Sequence, residues 1–413
     1  MKVLKIAIVL FVGLFFVSAC VSLNKPLKRT KSEQKTLTTP APKNALVNFT
    51  DELNFMLLKS NFAKKDAHIR IFGDSHMAAD FFSSRLRSYI KTQNIGFVYA
   101  LQPKYHQVVP LQYKSKHFEL LNSKSNADSH NGEKNDFPMG GIIAKSAKAG
   151  AFINLESLKD DEFSFGVLFQ SPHANDALII TDAKGKILRL KSPKKDKWSY
   201  ATLSNLRFPI NINALDKGIL LGGFFITSDK MGATLDTLGI NGAKSDLWLR
   251  WDKELFLQEL NLLKSDIVIL AYGSNDALMG GFDEKSFKEN YKNFIQMFYA
   301  SNPSASIIII APPTITHKAK SGEYEIAADF ERVQKAIYEV AKDEKLVLFD
   351  MHQFIQNSGG KALWVEQNLS REDVHLSPDG YKLMADEFYQ ALTKLLQTKP
   401  TYNSTNSAAT KSW

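Results

Sequence analysis

Four short segments hold side chains that can do nucleophilic chemistry: Gly73-Asp74-Ser75-His76, Gly239-Ile240-Asn241-Gly242, Tyr272-Gly273-Ser274-Asn275-Asp276 and Asp373-Val374-His375. Ser75 offers a hydroxyl, which attacks a carbonyl only when a neighbour takes its proton, and an imidazole does this near neutral pH. Of the nine histidines, His375 is the preferred base, because Asp373 two positions earlier can hold the ring tautomer and stabilise the imidazolium. Glu372, three positions before the histidine, is the rival orienting carboxylate. The backbone N–H of Ser75, the N–H of Gly242 with no side chain in the way, and the amide of Asn275 are three donors for an oxyanion. Each piece also has a plain structural reading: serine after aspartate caps helices, Gly-Ser-Asn-Asp makes turns, and Asp-x-His pairs occur on exposed loops. Taken in this order, the set implies ester cleavage through an acyl-enzyme. No metal or organic cofactor is called for, since the chain has no phosphate-binding glycine loop, no His-Glu-x-x-His and no cysteine cluster.

Such residues need a rigid scaffold, and the chain reads as strand and helix in alternation. Ala67 to Phe72 is a buried strand, ended by Gly73, and a helix starting at about Ser75 carries Phe81, Phe82 and Leu86 on its inner side. Leu53, Phe55, Met56, Leu58 and Phe62 mark a helix before it. Asp266 to Tyr272, Ser306 to Ala311 and Leu346 to Asp350 are near-continuous apolar runs, as parallel strands covered on both faces require. Phe287 to Tyr299, Phe330 to Ala341 and Gly380 to Leu396 are the helices between and after them. This predicts a three-layer α/β/α core. It places Ser75 at the carboxyl edge of the sheet, where open α/β folds hold ligands. Residues 97–230 follow another pattern, short runs such as Phe163 to Phe169, Ala177 to Thr181 and Gly218 to Ile226 separated by turn residues. They predict an inserted antiparallel β-rich module, dividing the core domain into 47–96 and 231–398.

The ends of the chain set the compartment. Lys2 and Lys5 precede an apolar run from Ile6 to Val17, too short to span a membrane comfortably, and Ser18-Ala19-Cys20 follows. Residues 1–20 therefore read as an export signal. Small residues before the single cysteine resemble the lipobox of bacterial lipoproteins, which would leave Cys20 lipid-modified; a plain cleaved signal or an uncleaved anchor are the alternatives. Residues 21–46, rich in Lys, Thr and Pro, predict a flexible tether, and 399–413 a polar disordered tail. One cysteine in 413 residues excludes an internal disulfide, so the core must supply the stability. The formal charge of +9 favours anionic polymers, and an exported protein meets the cell wall and not nucleic acid. A surface kept soluble by charge explains the excess equally well.

The four segments resemble, in order and context, the blocks of the SGNH (GDSL-like) hydrolases. The string Gly73-Asp74-Ser75-His76-Met77-Ala78-Ala79-Asp80 is similar to that of bacterial peptidoglycan O-acetylesterases. The resemblance covers Ile69 to about Leu396 except the insertion, which in those enzymes is a carbohydrate-binding-module-like domain. It implies Ser75 and His375 as catalytic residues and Ser75, Gly242 and Asn275 as the oxyanion hole; Asp373 completes the catalytic set by its spacing to His375. It also implies O-acetylated glycan strands of peptidoglycan as partner, acetyl esters on N-acetylmuramic acid as substrate, a periplasmic location and no cofactor; the chain is read as a monomer. In many family members three positions separate the aspartate from the histidine, the place of Glu372 here, and the family's frequent His-Pro is His375-Leu376 in this chain. The rival readings are an SGNH esterase or acetyltransferase acting on another polysaccharide, and a non-catalytic wall-binding lipoprotein.

Overall fold

A computed structural model describes residues 44–125, 136–228, 230 and 232–398. The expectations for residues 1–20, Cys20 included, for most of the tether and for the tail lie outside the described residues. Among the described residues no helix is long and apolar enough to cross a membrane.

The central sheet has six strands: β1 (Leu46–Asn48), β2 (His68–Gly73), β3 (Thr234–Gly239), β4 (Ile267–Ala271), β5 (Ser306–Ala311) and β6 (Val347–Asp350). Their spatial order is β1-β6-β5-β4-β2-β3, all parallel except the antiparallel edge strand β1. Side chains alternate between two cores, as the two-residue period of a strand demands. Ile69, Ile71, Ile267, Ile269, Ile308 and Ile310 face one way, and Phe72, Val268, Leu270, Ile307 and Ile309 the other.

The helices are α1 (Glu52–Ala63), α2 (Ser75–Ala78), α3 (Phe81–Ile90), α4 (Lys253–Leu262), α5 (Ser274–Leu278), α6 (Glu284–Ser301), α7 (Phe330–Asp343), α8 (Met351–Asn357), α9 (Gly360–Glu366) and α10 (Pro378–Gln397). α1, α3 and α10 cover the first face and α4, α6 and α7 the second, which makes the three-layer α/β/α core. In one place the chain departs from its local pattern. The single helix read from Ser75 through Leu86 is two, α2 and α3, broken at Asp80, which takes a left-handed φ of 60°. Its carboxylate accepts from Ser83 Oγ at 2.6 Å and pairs with Arg87, both in α3, and it also accepts from the distant Val109 N–H at 2.8 Å. In α1, Phe55 and Leu58 are buried but Leu53 and Met56 face solvent.

Between Gly96 and Ser228 the chain forms an antiparallel sandwich. One sheet runs Ile187–Lys191, Asp176–Thr181, Ile210–Ala214, Ala151–Ser157, Leu111–Lys116; the other runs Trp198–Leu206, Phe163–Gln170, Leu220–Ser228, Ile142–Ser146, Phe118–Asn122, with Gly96–Val98 beside Leu220–Ser228. Ile153, Leu155, Phe165, Val167, Ile180, Ile212 and Phe224 fill the space between the sheets. Phe97, Tyr99, Met139, Ile143 and Leu220 instead join Phe72, Trp251 and Phe256 of the α/β core, so the module is welded to it by apolar packing.

The strand order β3-β2-β4 sets where a ligand can enter the sheet. The chain goes from β2 outward to β3 and then crosses back to β4, which makes the carboxyl ends of β2 and β4 a topological switch point, where a crevice opens.

Candidate active site

Gly73, Gly239 and Ala271 sit level in register at the carboxyl edge of β2, β3 and β4. They form a shelf of small residues on which α2 rests: a Cβ on Gly239 would lie 2.5 Å from the Ala78 nitrogen, and one on Gly73 would lie 2.7 Å from Met77 Cγ. Asp74 starts the helix. Its N–H donates to the Ala271 carbonyl at 3.2 Å and its carboxylate accepts from the His76 N–H at 2.9 Å. Burial pushes the Asp74 carboxyl up to about 7, against the pull of the His76 N–H in the other direction. The half-buried Ser75 thus stands at the switch point. α2 has only four residues, and the N–H groups of His76, Met77 and Ala78 are taken by Asp74, so what it can lend an oxyanion is the Ser75 N–H and very little dipole.

His375 arrives from a folded loop before α10. The Arg371 N–H donates to the His375 carbonyl at 2.9 Å and the Ser377 N–H to the Leu369 carbonyl at 3.0 Å. Two distant side chains hold the loop's carbonyls: Thr316 Oγ1 donates to Glu372 at 2.5 Å and Lys361 Nζ to Asp373 at 2.6 Å. Ser377 caps α10, accepting from the Gly380 N–H at 3.1 Å. The result puts His375 Nε2 3.0 Å from Ser75 Oγ. Asp373 Oδ1 lies 3.5 Å from His375 Nδ1 and accepts the His375 N–H at 2.9 Å. Of the two carboxylates considered, Asp373 is therefore beside the ring, while Glu372 is tied in through its carbonyl. Burial holds the His375 pKa below the ordinary value, with Arg371 and Lys361 acting in the same direction and Asp373 opposing them, so the ring is neutral and able to accept a proton.

Asn275 stands in the first turn of α5, just after β4, and Gly242 in the loop after β3, and side-chain bonds lace the two together. Asn275 Nδ2 donates to the Ala243 carbonyl at 2.8 Å, and buried Asp276 accepts from the Ser245 N–H at 3.1 Å and Ser245 Oγ at 2.9 Å. Gly242 has φ +76°, which a side chain would strain, and a Cβ there would lie 2.1 Å from Lys124 Nζ of the inserted module.

His76 is buried behind the base, its ring centroid 5.7 Å from that of His375. His76 Nδ1 and the Tyr381 hydroxyl share a hydrogen bond of 2.8 Å. Burial first, then His375 and Lys361, hold the His76 pKa well below the ordinary value. Among the described residues no group of three or more His, Cys, Asp or Glu is placed to hold a metal ion. Tyr381, Lys361, Thr316 and Lys124 carry no signal of their own in the sequence, and Asp276 stands out only as the end of the Gly273-Ser274-Asn275-Asp276 segment. Their partners lie too far away in the chain for any spacing to announce them; Tyr381 and His76 are 305 positions apart.

Residues 226–383, which include Gly242, Asn275, Asp373 and His375, match the GDSL-like Lipase/Acylhydrolase family. Over that stretch the chain is similar to the GDSL-like hydrolases. Residues 94–211 match a second family, described as Peptidoglycan O-acetylesterase, N-terminal. Ser75 lies before both stretches, because the insertion separates it from the rest of its domain. A solved peptidoglycan O-acetylesterase is similar in fold, with a TM-score of 0.72, 21% identity, and coverage of 86% of this chain and 100% of that one. An acetyl xylan esterase, AlAXEase, is 26% identical over 39% of this chain and 81% of its own, with a TM-score of only 0.31. No curated protein matches the hydrolase in sequence.

Proposed function

We propose that the protein is a serine esterase that removes O-acetyl groups from N-acetylmuramic acid in peptidoglycan through an acetyl-enzyme. One observation carries the chemistry: Ser75 Oγ and His375 Nε2 lie 3.0 Å apart at the switch point between β2 and β4. The match of residues 94–211 to the N-terminal family of peptidoglycan O-acetylesterases supports the substrate.

His375 takes the Ser75 proton as Oγ attacks the acetyl carbonyl carbon, and the carbonyl oxygen becomes an oxyanion. The N–H groups of Ser75 and Gly242 and the Asn275 amide receive that charge, each such donor being worth on the order of 10²–10³ in rate. Asp373 stabilises the imidazolium. Collapse expels the sugar hydroxylate, which recovers the proton from His375 and leaves acetyl on Ser75. A water, deprotonated by His375, then repeats the attack and releases acetate. The same reading places the enzyme in the periplasm, acting as a monomer, with Cys20 as the point of lipid attachment.

The test is acetate release from O-acetylated peptidoglycan by protein lacking residues 1–20, beside Ser75→Ala and with acetylated xylan as comparison. Release that needs Ser75 and favours peptidoglycan supports the reading. Folded protein that releases no more than Ser75→Ala refutes hydrolysis, and a preference for xylan refutes the substrate.

A further inference from the structure

Asn241 precedes Gly242, and one stretch of the inserted module holds it twice. Its N–H donates to His106 Nε2 at 3.3 Å, and its side-chain amide donates to the Lys104 carbonyl at 3.1 Å. The next residues of that stretch grip the nucleophile's helix. The Gln107 N–H donates to the Ala78 carbonyl at 3.2 Å, Gln107 Nε2 to the Ala79 carbonyl at 2.6 Å, and the Val109 N–H to Asp80 Oδ2 at 2.8 Å. Since His106 Nε2 accepts, its ring proton sits on Nδ1. The ring packs beside Tyr99, centroids 6.2 Å apart, and burial lowers its pKa to about 4, which keeps the acceptor available.

We propose that His106 is a positioning residue for the oxyanion hole: Lys104 to Val109 of the inserted module clamp Asn241 to the Ser75 helix and thereby aim the Gly242 N–H. The inference rests on the reading of Gly242 as an oxyanion donor. Asn275 and Asp276 hold this loop on its far side, at Ala243 and Ser245; the clamp supplies the near side. A donor works only when it already points at the place where charge develops, so loosening one anchor costs rate without touching the substrate. The module therefore contributes to catalysis even on an ester too small to reach a sugar-binding surface.

The experiment is steady-state hydrolysis of p-nitrophenyl acetate by wild type, Ser75→Ala, His106→Ala and His106→Gln, whose side-chain carbonyl can accept the same N–H. In His106→Ala, kcat should fall by about tenfold to a hundredfold with KM within about twofold. His106→Gln should recover a large part of it. Affinity for phenylboronic acid, whose tetrahedral Ser75 adduct puts an oxygen among the same donors, should fall by the factor seen in kcat. Gln107→Ala, at an exposed position, tests the other end of the clamp and should lower kcat in the same sense should His106→Ala not fold. Activity that survives Ser75→Ala overturns the esterase reading itself. With Ser75 required, three results would each overturn the positioning role: an unchanged kcat in the folded clamp variant, a loss confined to KM, or a kcat loss with full boronate affinity.

Discussion

Asp373→Asn separates this site from triads whose aspartate is buried. Asp373 Oδ1 and His375 Nδ1 are 3.5 Å apart, and the two side chains are 38% and 35% exposed. A full charge pair at that distance is worth about 1.2 kcal/mol at the dielectric of water and about 4.7 kcal/mol at an effective dielectric of 20. With more than a third of each side chain in contact with water, the pair belongs toward the solvent end, at about 1–2.5 kcal/mol, or roughly five- to seventyfold in rate. Removing a buried triad aspartate costs about 10⁴. The Asn carbonyl can still accept the His375 N–H, so the loop keeps its shape and the loss reports charge. The assay is kcat on p-nitrophenyl acetate across pH. Asp373 raises the His375 pKa while burial lowers it, so Asp373→Asn should also move the acid limb of kcat/KM to lower pH. A loss as large as that of Ser75→Ala would mean the pair is dry and tight in the working enzyme. A loss below about twofold, with a large one in Glu372→Gln, would hand the orienting role to Glu372 and refute the argument from distance and Coulomb energy.

Two other variants test the loops and the core. Asn275→Ala should lower kcat by about 10²–10³ and also the thermal midpoint, because the Ala243 carbonyl loses its 2.8 Å partner, a deficit of about 1–3 kcal/mol for a buried acceptor; calorimetry beside kinetics checks both. Glu259 is buried and accepts from the Met139 N–H at 2.7 Å, and burial raises its carboxyl from 4.5 to about 8. The native state then keeps a proton that the unfolded chain releases, so this group's contribution is complete below pH about 4.5 and is lost as pH rises through about 8. Glu259→Gln, which retains the acceptor, should gain thermal stability relative to wild type as pH rises across that window; a pH-independent difference in denaturation midpoint would refute it.

Much of the scaffold was readable because its causes are local. Ser306 to Ala311 is a strand with the bounds its apolar run announces, since a strand covered on both faces needs no polar alternation. The helix read from Gly380 to Leu396 is α10, which starts two residues earlier, at Pro378 behind its Ser377 cap. The misreading at Asp80 has the opposite origin. Phe81, Phe82 and Leu86 continue a helical period from Ser75, but Asp80 is drawn into a left-handed turn by Val109, twenty-nine positions on. No local rule contains that partner.

The chain by itself determined which chemistry could be present: a hydroxyl, an imidazole with nearby carboxylates, glycine and asparagine after strand-like runs, and the order in which they occur. Those are matters of residue type and short-range spacing. Only the tertiary structure decided which of them meet. Ser75 and His375 are 300 positions apart and meet beyond the carboxyl ends of the paired strands β2 and β4, where the chain leaves in opposite directions. Asp373 and not Glu372 faces the ring because Thr316 and Lys361, from other parts of the chain, grip two successive carbonyls and set the rotation of the loop between them. Hydrogen bonds of that kind reach about 3 Å in space and have no fixed reach along a sequence. A one-residue choice on a loop is therefore made by packing and not by pattern.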